Sequence, residues 1–306
     1  MMRYYNQSPI ENISVFFKQK SLLSKLILIN VIVFLFVNII SLFAFLFNIQ
    51  TQGISPVTEW LSVPADITSL ITKPWTIITY MFLQEGFFHL FFNMIMLYFG
   101  GKVFTEYLDD QKLLKTYLLG GLLGALLFIL AFNIFPVFQN SIAYTIALGS
   151  SASVLAILVA IATYVPNYSV HLVLIGRTKL KYIAISFVIL DILTIRNGNE
   201  GGHIAHIGGA LWGYIYSSAL LKGNDIASFM NSLNFNWLKR FFTKKEKSHF
   251  KDIHRNKRPL TDQEYNARKS AQQKSIDKIL DKISKSGYNS LTKEEKEILF
   301  KYSNKQ

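Results

Sequence analysis

Gly202-His203-Ile204-Ala205-His206-Ile207-Gly208-Gly209-Ala210-Leu211-Trp212-Gly213 opens the last long apolar run of the chain. A histidine inside such a run is costly enough to need a reason. Gly209 and Gly213 follow His206 by three and seven residues, so all three share one helical face, and glycines there let a neighbouring helix approach closely. Five comparable runs precede this one. Together the six cover residues 26–49, 87–104, 113–132, 148–164, 182–195 and 204–221, and a spanning helix needs about 20 mostly apolar residues, fewer where packing allows. The fifth is the weakest, being short and carrying Asp191. The pattern predicts an all-α membrane protein, a bundle of six transmembrane helices. The first run is too long for the apolar part of a signal peptide and no Ala-x-Ala-like site follows it, so it reads as an anchor.

Composition agrees. Of 306 residues, 51% are hydrophobic and only 17% charged, against about 25% charged in an ordinary soluble domain. The net charge is nevertheless +13, and it is unevenly spread. Residues 1–222 carry 13 Lys and Arg against 9 Asp and Glu, whereas residues 223–306 carry 19 against 10. Four segments follow: an N-terminus over residues 1–25, the bundle over 26–222, a basic juxtamembrane linker over 223–260, and a small helical tail over 261–306. With no cysteine, disulfides, thiolate metal sites and cysteine nucleophiles are excluded. No metal or other cofactor is expected.

Lysine and arginine beside the spans set the orientation. Lys18, Lys20 and Lys25 precede the first span, Lys102, Lys112 and Lys115 lie between the second and third, Arg177, Lys179 and Lys181 between the fourth and fifth, and the basic segment follows the sixth. The alternate loops hold only Lys73 and Arg196. Both termini are therefore expected in the cytoplasm. This orientation puts His89 and Asn93 near the outer end of span two, Ser150, Ser151 and Ser153 at the outer start of span four, and His203 and His206 at the outer start of span six. For each alone, hydrogen-bonding glue between helices is the better reading. Their common depth on three helices points to a site. His89 and Asn93 are four residues apart, on one face. Ser151 follows Gly149 at a helix start, where unpaired N–H groups can meet a developing oxyanion, with His89 and Asn93 as side-chain donors. His206 supplies a base, and Ala152, Ala156 and Ala160 form a small-residue ridge to match Gly209 and Gly213.

These residues resemble the rhomboid family of intramembrane serine proteases. The similarity runs from about Trp75 to Gly213 through four ordered motifs: His89-x-x-x-Asn93, Gly100-Gly101 with Glu106, Gly149-x-Ser151, and Ala205-His206-Ile207-Gly208-Gly209 with Gly213. The resemblance implies a six-helix bundle with Ser151 as nucleophile and His206 as general base, without an acidic third member. It also implies an oxyanion hole of the Ser151 N–H, His89 and Asn93, helix packing through Gly149, Gly209 and Gly213, and substrates that are transmembrane segments of other proteins, cut near the outer face. A bacterial inner (plasma) membrane is the expected location. The sequence departs from the family at Ala152, usually glycine, at Leu155, often an aromatic that stacks on the catalytic histidine, and at Thr76, where arginine often follows the tryptophan. Asp191 is expected near the middle or inner half of its span, away from the dyad, as a structural group. His203 is a competing base. A pseudoprotease that binds membrane clients without cutting is the alternative, and it predicts loss of Ser151 or His206; a transporter would call for charges deep in several spans.

Two segments flank the chemistry. Residues 50–86, with Trp60 and Trp75, are expected on the outer interface, and Asn197-Gly198-Asn199-Glu200-Gly201-Gly202 reads as a lid or a simple connector. Within the linker, Lys239-Arg240 and Lys244-Lys245 stand beside Trp237, Phe241 and Phe242, a pattern suited to anionic lipid headgroups rather than nucleic acid. In the tail, Ile276, Ile279, Leu280 and Ile283 form a helical stripe, Gly287 a stop and Thr292-Lys293-Glu294-Glu295 a capping box. That hairpin is expected to self-associate or dock on a partner.

Overall fold

The structure is a computed structural model, and it describes residues 16–17, 21–49, 55–172, 176–231 and 262–303. It is mostly helical and divides into two compact units, residues 1–234 and 235–306.

The first unit has helices on all six apolar stretches. They are α1 (Leu22–Leu46), α5 (Phe87–Tyr107), α6 (Asp110–Ile134), α7 (Ser151–Tyr164), α8 (Leu180–Thr194) and α9 (Glu200–Leu221), with α2 (Pro56–Leu61), α3 (Ile67–Thr72) and α4 (Thr76–Thr79) between α1 and α5. Among the described residues three of these helices, α1, α5 and α6, are long and apolar enough to cross a membrane, and α7 is a shorter apolar helix. Helix starts follow local chemistry. The Ser21 hydroxyl accepts from the Ser24 N–H and caps α1, and the Asp109 carboxylate accepts from the Lys112 N–H at 2.8 Å and caps α6, each satisfying one orphan donor of a first turn.

At the centre stands α7, contacted by α5, α6, α8 and α9. Its Ala152, Ser153, Ala156, Ile157 and Ile161 are buried. The outer surfaces of α1, α5 and α8 are apolar instead: Phe36, Phe43, Phe88, Phe92, Leu190 and Leu193 are each more than half exposed. Such a surface would be a liability in water and is the expected one in hydrocarbon. Small residues permit the close packing. A Cβ on Gly208 would meet the backbone of Gly124 on α6, and one on Gly209 or Gly213 would overlap the backbone of Ala152 or Ala156 on α7.

An all-α expectation omits two short antiparallel ladders. Val63–Pro64 (β1) pairs with Ile146–Ala147 (β2), and Ser169–Leu172 (β3) pairs with Gly176–Lys179 (β4) between α7 and α8. Residues 55–86 are helical in part, and Trp60 and Trp75 stack at 5.3 Å, with the Trp75 indole N–H donating to the Trp60 carbonyl. Beyond α9 the chain stays packed on its unit: Ala227 and Met230 are buried, and Lys115 on α6 pairs with Asp225 at 2.9 Å. The basic pairs Lys239-Arg240 and Lys244-Lys245, with Trp237, Phe241 and Phe242, lie outside the described residues.

In the second unit, α10 (Asp262–Ser286) and α11 (Lys293–Ser303) flank a short turn. Gly287 ends α10 at φ +76°, its N–H bonded to the Ile283 carbonyl. Both bonds of the capping box form, Thr292 N–H to Glu295 Oε2 and Glu295 N–H to Thr292 Oγ1. Ile276 and Ile279 are buried while Leu280 is half exposed, so the stripe is narrower than its spacing implies.

Asp225 offers a test of how the first unit is closed. Partial burial raises its pKa, but the hydrogen bonds from Lys115 and Tyr216 outweigh this and hold it below the ordinary carboxylate value of 3.8. The stabilisation is therefore present above that value and lost as pH falls through the depressed folded value. Asp225→Asn leaves the buried Lys115 ammonium without its carboxylate and is expected to cost about 1–3 kcal/mol at neutral pH. In detergent melts, the difference from wild type should shrink to nothing at acid pH.

Candidate active site

Ser151 is the first residue of α7, and His206 lies two turns into α9. Their meeting follows from the glycine face. With Gly209 against Ala152 and Gly213 against Ala156, the Ser151 hydroxyl lies 2.5 Å from Nε2 of His206. The pair lines a cavity of about 520 Å³ together with His89, Gln84, Asn199 and Gly202.

Gly149 has a different task from the helix packing expected of it. It sits in the turn before α7 at φ +136°, with its N–H donating to the Tyr80 carbonyl, and a Cβ there would stand 3.0 Å from the His89 ring and 3.4 Å from Ser151 Oγ. The absence of that carbon leaves room for the His89 imidazole beside the turn that leads into Ser151. Nδ1 of His89 accepts the Glu85 N–H at 3.2 Å. The ring proton must then reside on Nε2, leaving His89 a donor on its other edge.

Asn93 is buried and donates to the Gln84 carbonyl oxygen at 2.9 Å. The Gln84 amide in turn donates to Ser150 Oγ at 2.7 Å and to Asn30 Oδ1 at 3.1 Å, and Asn30 donates to the Tyr117 hydroxyl. One amide hydrogen of Asn93 is thus committed to the network, and the other has no partner among the described residues. Sequence reasoning missed Gln84 and Asn30. Nothing in Leu83-Gln84-Glu85 marks the glutamine, whereas Asn30, polar within the first apolar run, could have been weighed like Asn93.

A correction concerns Asp191. Rather than lying apart from the histidines, its Oδ1 sits 2.8 Å from Nδ1 of His206 and 2.8 Å from Nδ1 of His203. The reason is direction: α8 runs toward the end of the bundle at which α9 begins, and Asp191 is three residues from its terminus at Thr194. The three ligand atoms fall within 4.8 Å of one another, a spacing that would also suit a metal ion. His203, the competing base, turns its Nδ1 to Asp191; among the described residues the histidine that bonds Ser151 is His206. The lid segment is also revised. Asn199, in the left-handed region at φ +56°, caps α9 through the Gly202 N–H, so Glu200, Gly201 and Gly202 form its first turn.

A serine paired with an imidazole, beside a helix start and two donors, lies within residues 72–223, and those residues match the family model of the Rhomboid domain. The chain is a member of the rhomboid family. Its rhomboid domain holds Gln84, His89, Asn93, Ser151, Asp191 and His206. Residues 261–305 match a family of unknown function, DUF6576, which covers the α10–α11 hairpin. No curated protein sequence matches the chain.

Gln84 ties three buried groups of the rhomboid domain together. Gln84→Leu strands the Asn93, Ser150 and Asn30 partners, and a stranded buried polar group costs about 1–3 kcal/mol. The variant should melt earlier in detergent by at least that amount, and Gln84→Glu should recover part of it.

Proposed function

We propose that this rhomboid domain is an intramembrane serine endopeptidase that cleaves transmembrane segments of other membrane proteins near the outer face. The observation that carries the reading is the 2.5 Å separation of Ser151 Oγ and His206 Nε2 on the wall of an open cavity. In the reaction, His206 Nε2 takes the hydroxyl proton as Ser151 Oγ attacks the scissile carbonyl, then gives it to the leaving amine. Water entering the cavity hydrolyses the acyl-enzyme by the same route in reverse. The oxyanion is met by the Ser151 N–H at the start of α7, by Nε2–H of His89 and by the uncommitted amide hydrogen of Asn93. Six spans with both termini in the cytoplasm complete the proposal, supported by the alternation of Lys and Arg beside the helices. The basic segment after the bundle would rest on anionic headgroups at about 1 kcal/mol per Lys or Arg, leaving the α10–α11 hairpin to self-associate or dock on a partner.

A pseudoprotease is the rival reading, and the presence of both Ser151 and His206 stands against it. The test is cleavage of a reporter transmembrane segment by the purified full chain in liposomes. Ser151→Ala and His206→Ala should abolish cleavage, and His89→Ala or Asn93→Ala should each lower kcat by about 10²–10³. Equal cleavage by Ser151→Ala would remove the nucleophile; a wild type that neither cleaves nor reacts with a serine-directed phosphonate would favour the pseudoprotease.

A further inference from the structure

Family resemblance supplies a base without an acidic partner, and it often supplies an aromatic one turn past the serine to hold that base. Here the position is Leu155, which has no such ring. Something else must fix the His206 imidazole, since a ring free to turn about χ2 presents its lone pair to Ser151 only part of the time.

The structure places a carboxylate where such a device is needed. Asp191 is 8% exposed, and its Oδ1 approaches Nδ1 of His206 at 2.8 Å while Nε2 of the same ring stands 2.5 Å from Ser151 Oγ. An ionised carboxylate only accepts, so the hydrogen of that contact belongs to Nδ1, and Nε2 is left with the lone pair that must take the serine proton. The carboxylate is held in its turn. His203, one turn before His206 on α9, directs Nδ1 at the same Oδ1, also at 2.8 Å, with Thr194 Oγ1 at 3.4 Å from that nitrogen. Two imidazoles on one oxygen, from adjacent turns of one helix, fix both the position of the carboxylate and the facing edge of α9.

We infer that Asp191 is a positioning residue for His206, making a Ser151–His206–Asp191 triad in which His203 steadies the carboxylate. The inference rests on the proposed dyad. When Ser151 Oγ gives its proton to Nε2, the ring carries a proton on each nitrogen and a positive charge. Asp191 stays ionised and faces that charge, and the Nδ1 proton does not leave.

Asp191→Asn, made in the full chain, keeps the shape and removes the charge, and its amide can turn an N–H toward Nδ1 and so favour the wrong tautomer. With the liposome reporter, kcat is expected to fall about 10²–10⁴-fold at unchanged KM, with partial recovery in Asp191→Glu and a smaller loss in His203→Gln. Wild-type kcat in Asp191→Asn, with Ser151→Ala inactive, overturns the inference and leaves the dyad standing; so does a loss confined to KM or to the melting midpoint. A readout independent of turnover separates the two failures. In ¹⁵N-histidine spectra, His206 should carry its proton on Nδ1 in the wild type and lose that preference in Asp191→Asn. An unchanged tautomer overturns the inference even for a chain that cleaves nothing.

Discussion

Gly209 and Gly213 put no carbon between α9 and α7, and the approach they allow governs the rest of the site. The backbone of α9 settles against Ala152 and Ala156. In hydrocarbon there is no hydrophobic gain in driving two helices together, so contact depends on how closely backbones fit and on what polar groups then meet. Ser151 and His206 are 55 residues apart in the chain, yet they lie within hydrogen-bond reach because this seam fixes the axial register of two helices. A methyl group at Gly209 would move a whole helix and not only its neighbour's side chain.

Around that seam the unit buries a set of polar groups. Gln84, Asn30, Asn93, Ser150 and Tyr117 are buried, and every one has a hydrogen-bond partner from another element. A fully partnered network of this kind is rigid, because each member's loss strands another. It joins α1, α5, α6 and the N-cap of α7 beside the serine. The same groups that make the region expensive to form thus hold Asn93, one of the proposed oxyanion donors, still.

Much of this was legible in the sequence because it obeys a period. The six helices follow apolar run length and the shared face of His206, Gly209 and Gly213 follows from spacing, while a common depth for His89, Asn93 and Ser151 is the expectation that charge at the loops supports. Asp191 was misplaced because its distance from the span's end was counted without regard to the direction of the chain; traced from Leu180, the residue falls near the terminus that meets α9. Gln84 carried no periodic signal, since it stands in the short stretch between a 3-10 turn and α5 and acts only through groups brought to it from α1, α5 and the N-cap of α7. The β3–β4 hairpin was hidden by its basic residues, which served the topology argument. Gly149 was grouped with the packing glycines, whereas the left-handed φ and the His89 ring become visible only in three dimensions.

The length of α7 has one further consequence. Fourteen residues rise about 21 Å, whereas the hydrocarbon layer is about 30 Å thick. In the proposed orientation, a helix of that length with its C-terminal end at the inner boundary stops some two turns short of the outer one. On the proposed protease reading, its first residue is a depth gauge: a bilayer-spanning polypeptide drawn alongside would present to Ser151 the bond lying that far beneath the surface, whatever its sequence, and a thicker or thinner lipid layer would slide the cut along that polypeptide.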